Sequence, residues 1–414
     1  MPEHVLIIGG GVIGAACAHY LLKAGRRVTL IDQGEFGGGC SHGNCGFVCP
    51  SHVLPLAGPG AVGRALKALF QRNSPLSIKP RLDAALWSWL YHFARRSNER
   101  DMLAAGAGIQ ALLNSSRQLY DELFTDEKIE AEWETRGLLF AFLTPAAMGH
   151  YAETDRLLRD KFGLGAVRYE GDDVARLEPA LKPGLAGGWH YEHDAHLRPD
   201  RLMASWRRRL AERGAEIREH CEFRGFVRRG ERAVAADSSL GPLEADQFVV
   251  AAGAWTPRLK LDLGCRIPIQ PGKGYSITMP RPARSPAIPL IFEEHRVAVT
   301  PLKSGYRLGS IMELAGYDAS LEPQKLDLLR HGAGHYLIEP MAEPIVEQWF
   351  GWRPMTYDSL PIIGFGPALA NVALACGHSM LGVSMAPGTG KLIAELLGAA
   401  PPHIDPAPYS PARF

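Results

Sequence analysis

The sequence predicts an α/β fold on a parallel sheet, interleaved with an α+β part on a mixed sheet, and three stretches predict it. The chain opens on HVLIIGGGVIGAACAHYLLKAGRRVTLID, which reads as strand, tight turn, helix, turn, strand. Much later, DQFVVAAGAW gives a second buried strand that ends in small residues. Between Gly264 and Glu313 the pattern turns to short alternating strands, IPIQPGKGYSIT and RVAVTPLKSGYRLGSIMEL, with Ser304–Gly305 as a hairpin turn.

In the opening unit, His4–Ile8 is a continuous apolar run suited to a buried parallel strand, and Val12, Ala16, Tyr20 and Leu21 recur at helical spacing. Gly9, Gly11 and Gly14 between them spell GxGxxG. The first permits the turn, the second lets a pyrophosphate approach the backbone, and the third lets helix and strand pack closely. Val12 and Ile13 begin the helix, whose free N–H groups and partial positive charge suit phosphates. Asp32 ends the strand VTLID eighteen residues after Gly14. A carboxylate there accepts hydrogen bonds from both ribose hydroxyls and repels a 2′-phosphate, with Gln33 beside it. The unit is therefore Rossmann-type and favours FAD or NAD over NADP. A second match to the pattern, Gly106, Gly108 and Ala111, follows no strand and lies in a helical run, so it is discarded.

Bulk composition excludes several function classes. Of 414 residues, 46% are hydrophobic and 21% charged, as in a soluble globular protein of two or three domains. The 45 Lys and Arg balance 44 Asp and Glu, so nothing asks for nucleic acid. Seven cysteines, an odd number, read as thiols in a reducing compartment rather than a disulfide framework. The first residues lack the basic region and uninterrupted apolar run of an export signal, and no window approaches the ~20 apolar residues of a membrane span. The expected location is cytoplasmic.

After Asp32 an NAD domain would continue with strand–helix repeats. This chain instead enters GGGCSHGNCGFVCPSH, Gly37–His52, then the Pro/Gly segment LPLAGPG. The cysteine spacings in that loop match neither a structural zinc site nor a ferredoxin run. No metal is assigned, although Cys40, Cys45 and Cys49 with His42 would be the set to test. Near the C-terminus stand FGWRPMTYDSLPIIG, Phe350–Gly364, and ACGHSMLGVSMAPGTGKLIAELLG, Ala375–Gly398. The last part is helical, with Gly388 and Gly390 expected at its N-terminal end, where free N–H groups would face the anionic edge of a reduced flavin.

With these residues in place, the chain resembles the D-amino-acid oxidase superfamily of FAD enzymes, in its bacterial D-amino-acid dehydrogenase (small-subunit type) branch. The resemblance implies a flavin loop in which Ser41, Asn44 and Gly46 face the cofactor and the cysteines act as small residues. It also implies a backbone contact from Val227 to the adenine, a second FAD-domain half at Ala252–Gly253, and a flavin edge lined by Gly377, His378, Leu381 and Gly382. Arg353, in Gly-Trp-Arg-Pro, would bind the substrate carboxylate through its planar fork. A structural ion pair of Arg353 with Asp358 or Glu347 is the alternative. His52 is the candidate base, with Tyr275 and Tyr306 as candidates to close the cavity over the substrate. No cysteine occurs in Phe350–Asp358, where relatives that oxidise N-methyl glycines attach flavin, so FAD is expected to be noncovalent.

The expected division is an FAD-binding domain of residues 1–85, 196–262 and 345–414, and a substrate domain of 86–195 and 263–344. The implied activity is oxidative deamination of a D-amino acid, including cyclic ones such as D-proline or hydroxy-D-proline, with electrons passed to a quinone or other acceptor. Two alternatives stand beside it: a glycine or N-methyl amino-acid oxidase using oxygen, and a flavin-binding electron-relay subunit without its own substrate. Leu86, Trp87, Trp89, Leu90 and Phe93, ending in Arg95–Arg96, read as a core helix, with peripheral docking on a membrane as the other use of the same pattern.

Overall fold

A computed structural model describes residues 2–69, 74–79 and 81–414. The opening unit forms as expected: β1 (His4–Ile8), α1 (Val12–Lys23) and β2 (Arg27–Ile31). They belong to a six-stranded sheet in the order Ile362–Phe365, Val372–Cys376, Gln247–Val250, β1, β2, Glu216–Arg218. All neighbours are parallel except the pair Ile362–Phe365 and Val372–Cys376. Both faces are covered, which is why β1 is apolar from Val5 to Ile8. Val5 and Ile7 join the core under α1, while Leu6 and Ile8 face Ala233, Ala236 and Phe226 of a three-stranded antiparallel ribbon.

Helix Gly382–Leu397 crosses α1 at very short range. A Cβ on Gly390 would lie 2.5 Å from the Ala16 backbone, and one on Gly388 would lie 2.7 Å from Ser116 Oγ. Pro387 sits inside this helix and has no N–H for the Val383 carbonyl. Tyr120 repairs the gap by donating its hydroxyl to that carbonyl at 2.7 Å, and Ser116 Oγ accepts the Gly388 N–H at 3.0 Å. Both repairing residues stand on the long helix Glu99–Thr125.

The second sheet has nine strands and is mixed. Its longest strand, Ile269–Met279, lies next to one edge, paired antiparallel with the edge strand Glu347–Thr356 on one side and Gly305–Leu314 on the other. Helix Pro323–Tyr336 covers one face. The strands Val297–Leu302 and Gly305–Leu314 meet at the expected Ser304–Gly305 turn.

The expected domain boundaries shift at three places. Strand Glu347–Thr356 is bonded into the nine-stranded sheet, so the chain returns to the first sheet after Thr356 rather than at 345. Leu76–Ile78, placed within the first segment, pairs with Gly305–Leu314. Helix Glu99–Thr125, assigned to the substrate domain, packs on helix Gly382–Leu397. An apolar pattern reveals that a segment is buried but not which sheet takes it.

Candidate active site

The glycine turn is a single close-packed junction. Gly9 has φ +113° and donates its N–H to Ile31 at 2.8 Å; a Cβ there would meet the Ala251 carbonyl at 2.5 Å. A Cβ on Gly14 would lie 1.9 Å from the Gly9 carbonyl. Gly9, Gly14 and Ala251–Gly253 therefore come together, and Gly11 and Val12 open α1 just beyond. Ser41 Oγ accepts the Val12 N–H at 2.9 Å, bringing the cysteine loop to the helix N-terminus. Asp32 accepts from Gly10 N–H at 2.6 Å and Gly34 N–H at 2.8 Å, while Gln33 is exposed beside it.

A second helix N-terminus converges on the first. Gly382 begins its helix, and a Cβ there would lie 3.9 Å from Val12 Cγ1. Two positive helix ends beside an acid-capped glycine turn fit the anionic and ribose parts of FAD. Gly388 and Gly390, expected at this end, lie in mid-helix and serve the packing described above, because the helix starts six residues earlier than Gly388. His378 is buried, with Nε2 2.9 Å from Thr389 Oγ1, and burial pushes its pKa down to about 3. Its ring thus turns toward the helix that follows it, and its carbonyl accepts the Leu381 N–H. Gly377 has φ +75° and packs on Thr356.

Val227 falls elsewhere. It is 44% exposed on the antiparallel ribbon, paired with Ala235. The backbone that meets the Asp32 loop is His220 and Cys221, whose N–H groups donate to the Gly34 and Asp32 carbonyls. Extended segments offer little to fix such a register in advance.

The loop Cys40–His52 is clamped by the nine-stranded sheet. Ser276, Arg307 and Thr300 donate to the carbonyls of Gly43, Asn44 and Cys45 at 2.7, 2.8 and 2.7 Å. Asn44 braces the loop from within, bonding Cys40 and Ser41 carbonyls and the Gly46 N–H. Gly46 is required by contact: with φ +69°, a Cβ would lie 1.9 Å from the Leu197 carbonyl. Cys45 packs on Gly309, where a Cβ would lie 2.6 Å from its sulfur. The set Cys40, Cys45, Cys49 and His42 does not assemble. His42 instead pairs with Glu347 at 2.7 Å, and among the described residues Cys49 groups with His52 and Asp194. Ser51 donates to Asp194 through its hydroxyl at 2.5 Å and its N–H at 3.1 Å. Burial raises the Asp194 pKa to about 7 and lowers that of His52 to about 4. His52 lies 6.0 Å from the Phe140 ring and 3.4 Å, through Nδ1, from Ser51 Oγ.

Arg353 holds the most informative position. Among the described residues its guanidinium has no carboxylate partner: Asp358 pairs with Arg413 at 2.9 Å, and Glu347 with His42. Nη1 donates to the Ile311 carbonyl at 2.6 Å and Nη2 to that of Ser310 at 3.3 Å. These carbonyls are presented by a bulge opposite Lys273–Tyr275, where Ser310 has φ 145° and Ile311 φ 60°. Such strain in a β-branched residue costs about 1–3 kcal/mol, and the carbonyls it presents are the ones that hold Arg353. The guanidinium rests on Gly274, where a Cβ would come within 2.4 Å. Burial depresses the arginine pKa, and its near neighbours are the Cys40 and Cys45 thiols.

Tyr275 and Tyr306 are not with it. Arg353 pairs with Gly272 and lies over Gly274, so Tyr275, one step along the strand, points through the sheet. Both tyrosines are buried in the core beneath helix Pro323–Tyr336, and Tyr275 donates to Glu313 at 2.7 Å. Sequence reasoning missed the Ser310–Ile311 carbonyls, Gly274, Arg307 and Asp194. Only Gly274 carried a signal, as the second glycine of PGKGY.

A Rossmann-type dinucleotide site, joined to a mixed sheet that carries a half-buried arginine with no carboxylate partner among the described residues, is the arrangement of a flavin-dependent oxidoreductase. Residues 4–396 match the family model described as FAD dependent oxidoreductase. The chain is 34% identical to the D-amino acid dehydrogenase of Xanthobacter autotrophicus, over 99% of each chain. It is 32% identical to that of Granulibacter bethesdensis, again over 99% of each. Among solved structures, glycine oxidase from Geobacillus kaustophilus superimposes with a TM-score of 0.80 at 22% identity, covering 100% of this chain and 99% of the other. L-proline dehydrogenase from P. horikoshii gives 0.74 at 20% identity, covering 100% and 98%. These structural likenesses concern the fold. The chain belongs to the FAD dependent oxidoreductase family.

Proposed function

We propose that the protein is a D-amino-acid dehydrogenase with noncovalent FAD, oxidising the Cα–N bond of a primary D-amino acid or a cyclic one such as D-proline. The single observation that carries this reading is the Arg353 guanidinium, half-buried and without a carboxylate partner among the described residues, which suits an anion such as a substrate carboxylate. The Ile311 and Ser310 carbonyls hold part of the fork, so a carboxylate docks against a fixed cation rather than a mobile one. His52, neutral through burial, remains the candidate to take a proton from the substrate ammonium, as a weak base with its pKa lowered to about 4. The cofactor, when bound, supplies the hydride acceptor. The resulting imine hydrolyses to a 2-oxo acid.

The acceptor in this reading is a quinone or a similar carrier. Helix Ala84–Arg96 buries Leu86 and Trp89 but leaves Trp87 and Tyr91 each 59% exposed, next to Arg95 and Arg96. That combination supports peripheral docking from the cytoplasmic side on an anionic membrane. No helix among the described residues is long and apolar enough to cross a membrane. The test is an anaerobic panel of D- and L-amino acids watched at the flavin absorbance. D-amino acids should bleach the flavin and L-enantiomers should not. No bleaching by any amino acid would reduce the protein to an electron-relay subunit.

A further inference from the structure

Three histidines meet on the outer side of helix Pro323–Tyr336, away from the flavin loop and Arg353. His331 and His335 are one turn apart and exposed, with their Nε2 atoms 3.2 Å from each other. His295, from the turn before strand Val297–Leu302, stacks on His335 with ring centroids 4.5 Å apart. Its Nδ1 lies 3.2 Å from Tyr336 Oη, which also donates to Glu294 at 2.7 Å. The turn reaches the helix this closely because residue 332 is glycine: a Cβ there would lie 3.1 Å from His295 Cβ and 2.7 Å from Val297. Gly334, between the two histidines of the helix, opens onto a shallow, solvent-facing cavity lined by Asp327, Arg330, His331 and His335. Asp327 is occupied by Arg330 at 2.6 Å.

We infer that His331 and His335 form a two-imidazole binding site for a divalent transition-metal ion such as nickel or zinc. With metal–nitrogen bonds of about 2.1 Å, the observed nitrogen separation corresponds to a ligand–metal–ligand angle of roughly 100°, between octahedral and tetrahedral values. Imidazole suits these ions, whereas magnesium takes oxygen ligands. Water from the open cavity completes the coordination. His295 acts as a brace, since its stacking limits rotation of the His335 ring. The ion would tie two turns of the helix that roofs the core of the nine-stranded sheet, so its binding adds to the stability of the folded state.

The experiment is calorimetric titration of Ni²⁺ into the full, FAD-loaded chain, with Mg²⁺ as the control and melting temperature followed in parallel. One Ni²⁺ per chain is expected, with a raised melting temperature, and no response to Mg²⁺. His331→Ala and His335→Ala should each weaken Ni²⁺ binding by about 100-fold, the low end of what two tethered ligands gain over one. The bound-flavin spectrum should be unchanged in both variants, which shows that they are folded. Unchanged Ni²⁺ affinity in the variants would move the ion elsewhere, for instance to Cys49, His52 and Asp194, and overturn the assignment. So would a wild-type protein that takes up no Ni²⁺.

Discussion

Removing one side chain, Arg353, should separate substrate binding from cofactor binding. Arg353→Ala leaves the substrate carboxylate unpaired in a buried site, at a cost of about 3–5 kcal/mol. At ~1.4 kcal/mol per tenfold, kcat/KM should fall by roughly two to four orders of magnitude. Flavin content should stay the same, because the glycine turn, Asp32 and the Gly382 helix end are untouched. Arg353→Lys should recover only part of the loss, since an ammonium cannot reproduce the planar fork held by Ile311 and Ser310. A variant that still prefers the amino acid to the corresponding amine by the wild-type factor would take Arg353 out of the site. Asp32→Ala should do the reverse, with losses of roughly 1.5–3 kcal/mol in hydrogen bonds to a charged group. Flavin would then dissociate on dilution, and full retention would show that Asp32 does not hold the ribose. Asp194 offers a pH signature. Its folded pKa of about 7 lies above the ordinary carboxylate value of about 4, so between the two the folded protein keeps a proton that the unfolded chain has lost. Stability from this group therefore falls as pH rises through that window and is level above it. Asp194→Asn keeps a neutral acceptor for Ser51 and should gain on wild type in urea melts at pH 8 relative to pH 5. Parallel curves would show Asp194 ionised at pH 5.

Among the elements, helix Gly382–Leu397 is the most exposed to test, because its interruption at Pro387 is repaired from another segment. Tyr120→Phe leaves the buried Val383 carbonyl without a donor, and a loss of about 1–3 kcal/mol in denaturant melts is expected. Gly390→Val would press a side chain into the Ala16 backbone, separating the two helices whose N-termini converge on the cofactor site. Its expected result is weakened flavin retention; full occupancy with wild-type stability would mean that the crossing tolerates expansion. Sequence signals were unevenly useful at this scale. Helix Pro199–Glu212 is legible from Leu202, Met203, Trp206 and Leu210 at helical spacing, but the sequence does not mark its N-cap. Arg198 takes that place, with Pro199 at the first helical position and Asp200 accepting from Arg198 instead. In the Trp87–Arg96 stretch the core-helix reading fits Trp89, which is buried and bonded to the Met355 carbonyl, while Trp87 is turned outward.

For the molecule as a whole, the electron acceptor is the property to measure. Turnover should be slow with oxygen and fast with quinones or artificial dyes. Hydrogen peroxide formed at the rate of substrate consumption in air would make the protein an oxidase. Vesicles containing anionic lipid should retain the protein at low salt, and replacing both Trp87 and Tyr91 by Ser should release it without altering dye-linked turnover. Equal flotation of variant and wild type would assign that face another role.

What the sequence determined by itself was the nucleotide unit, and it also singled out the arginine that we propose for the substrate carboxylate. Local sterics dictate the first: a turn that tolerates no Cβ at Gly9 or Gly14 and an acid at the next strand end leave few alternatives. Resemblance supplied the second, because Gly-Trp-Arg-Pro is contiguous. Tertiary structure alone decided what depends on which face a strand shows and on who pairs with whom. It turned Tyr275 and Tyr306 into core, carried strand Glu347–Thr356 into the second sheet, and drew Asp194 to Ser51 across 143 residues. It also left Arg353 without a carboxylate by giving Asp358 to Arg413 and Glu347 to His42. Long-range partners compete for the same charges, and that competition is settled only when the sheets are assembled.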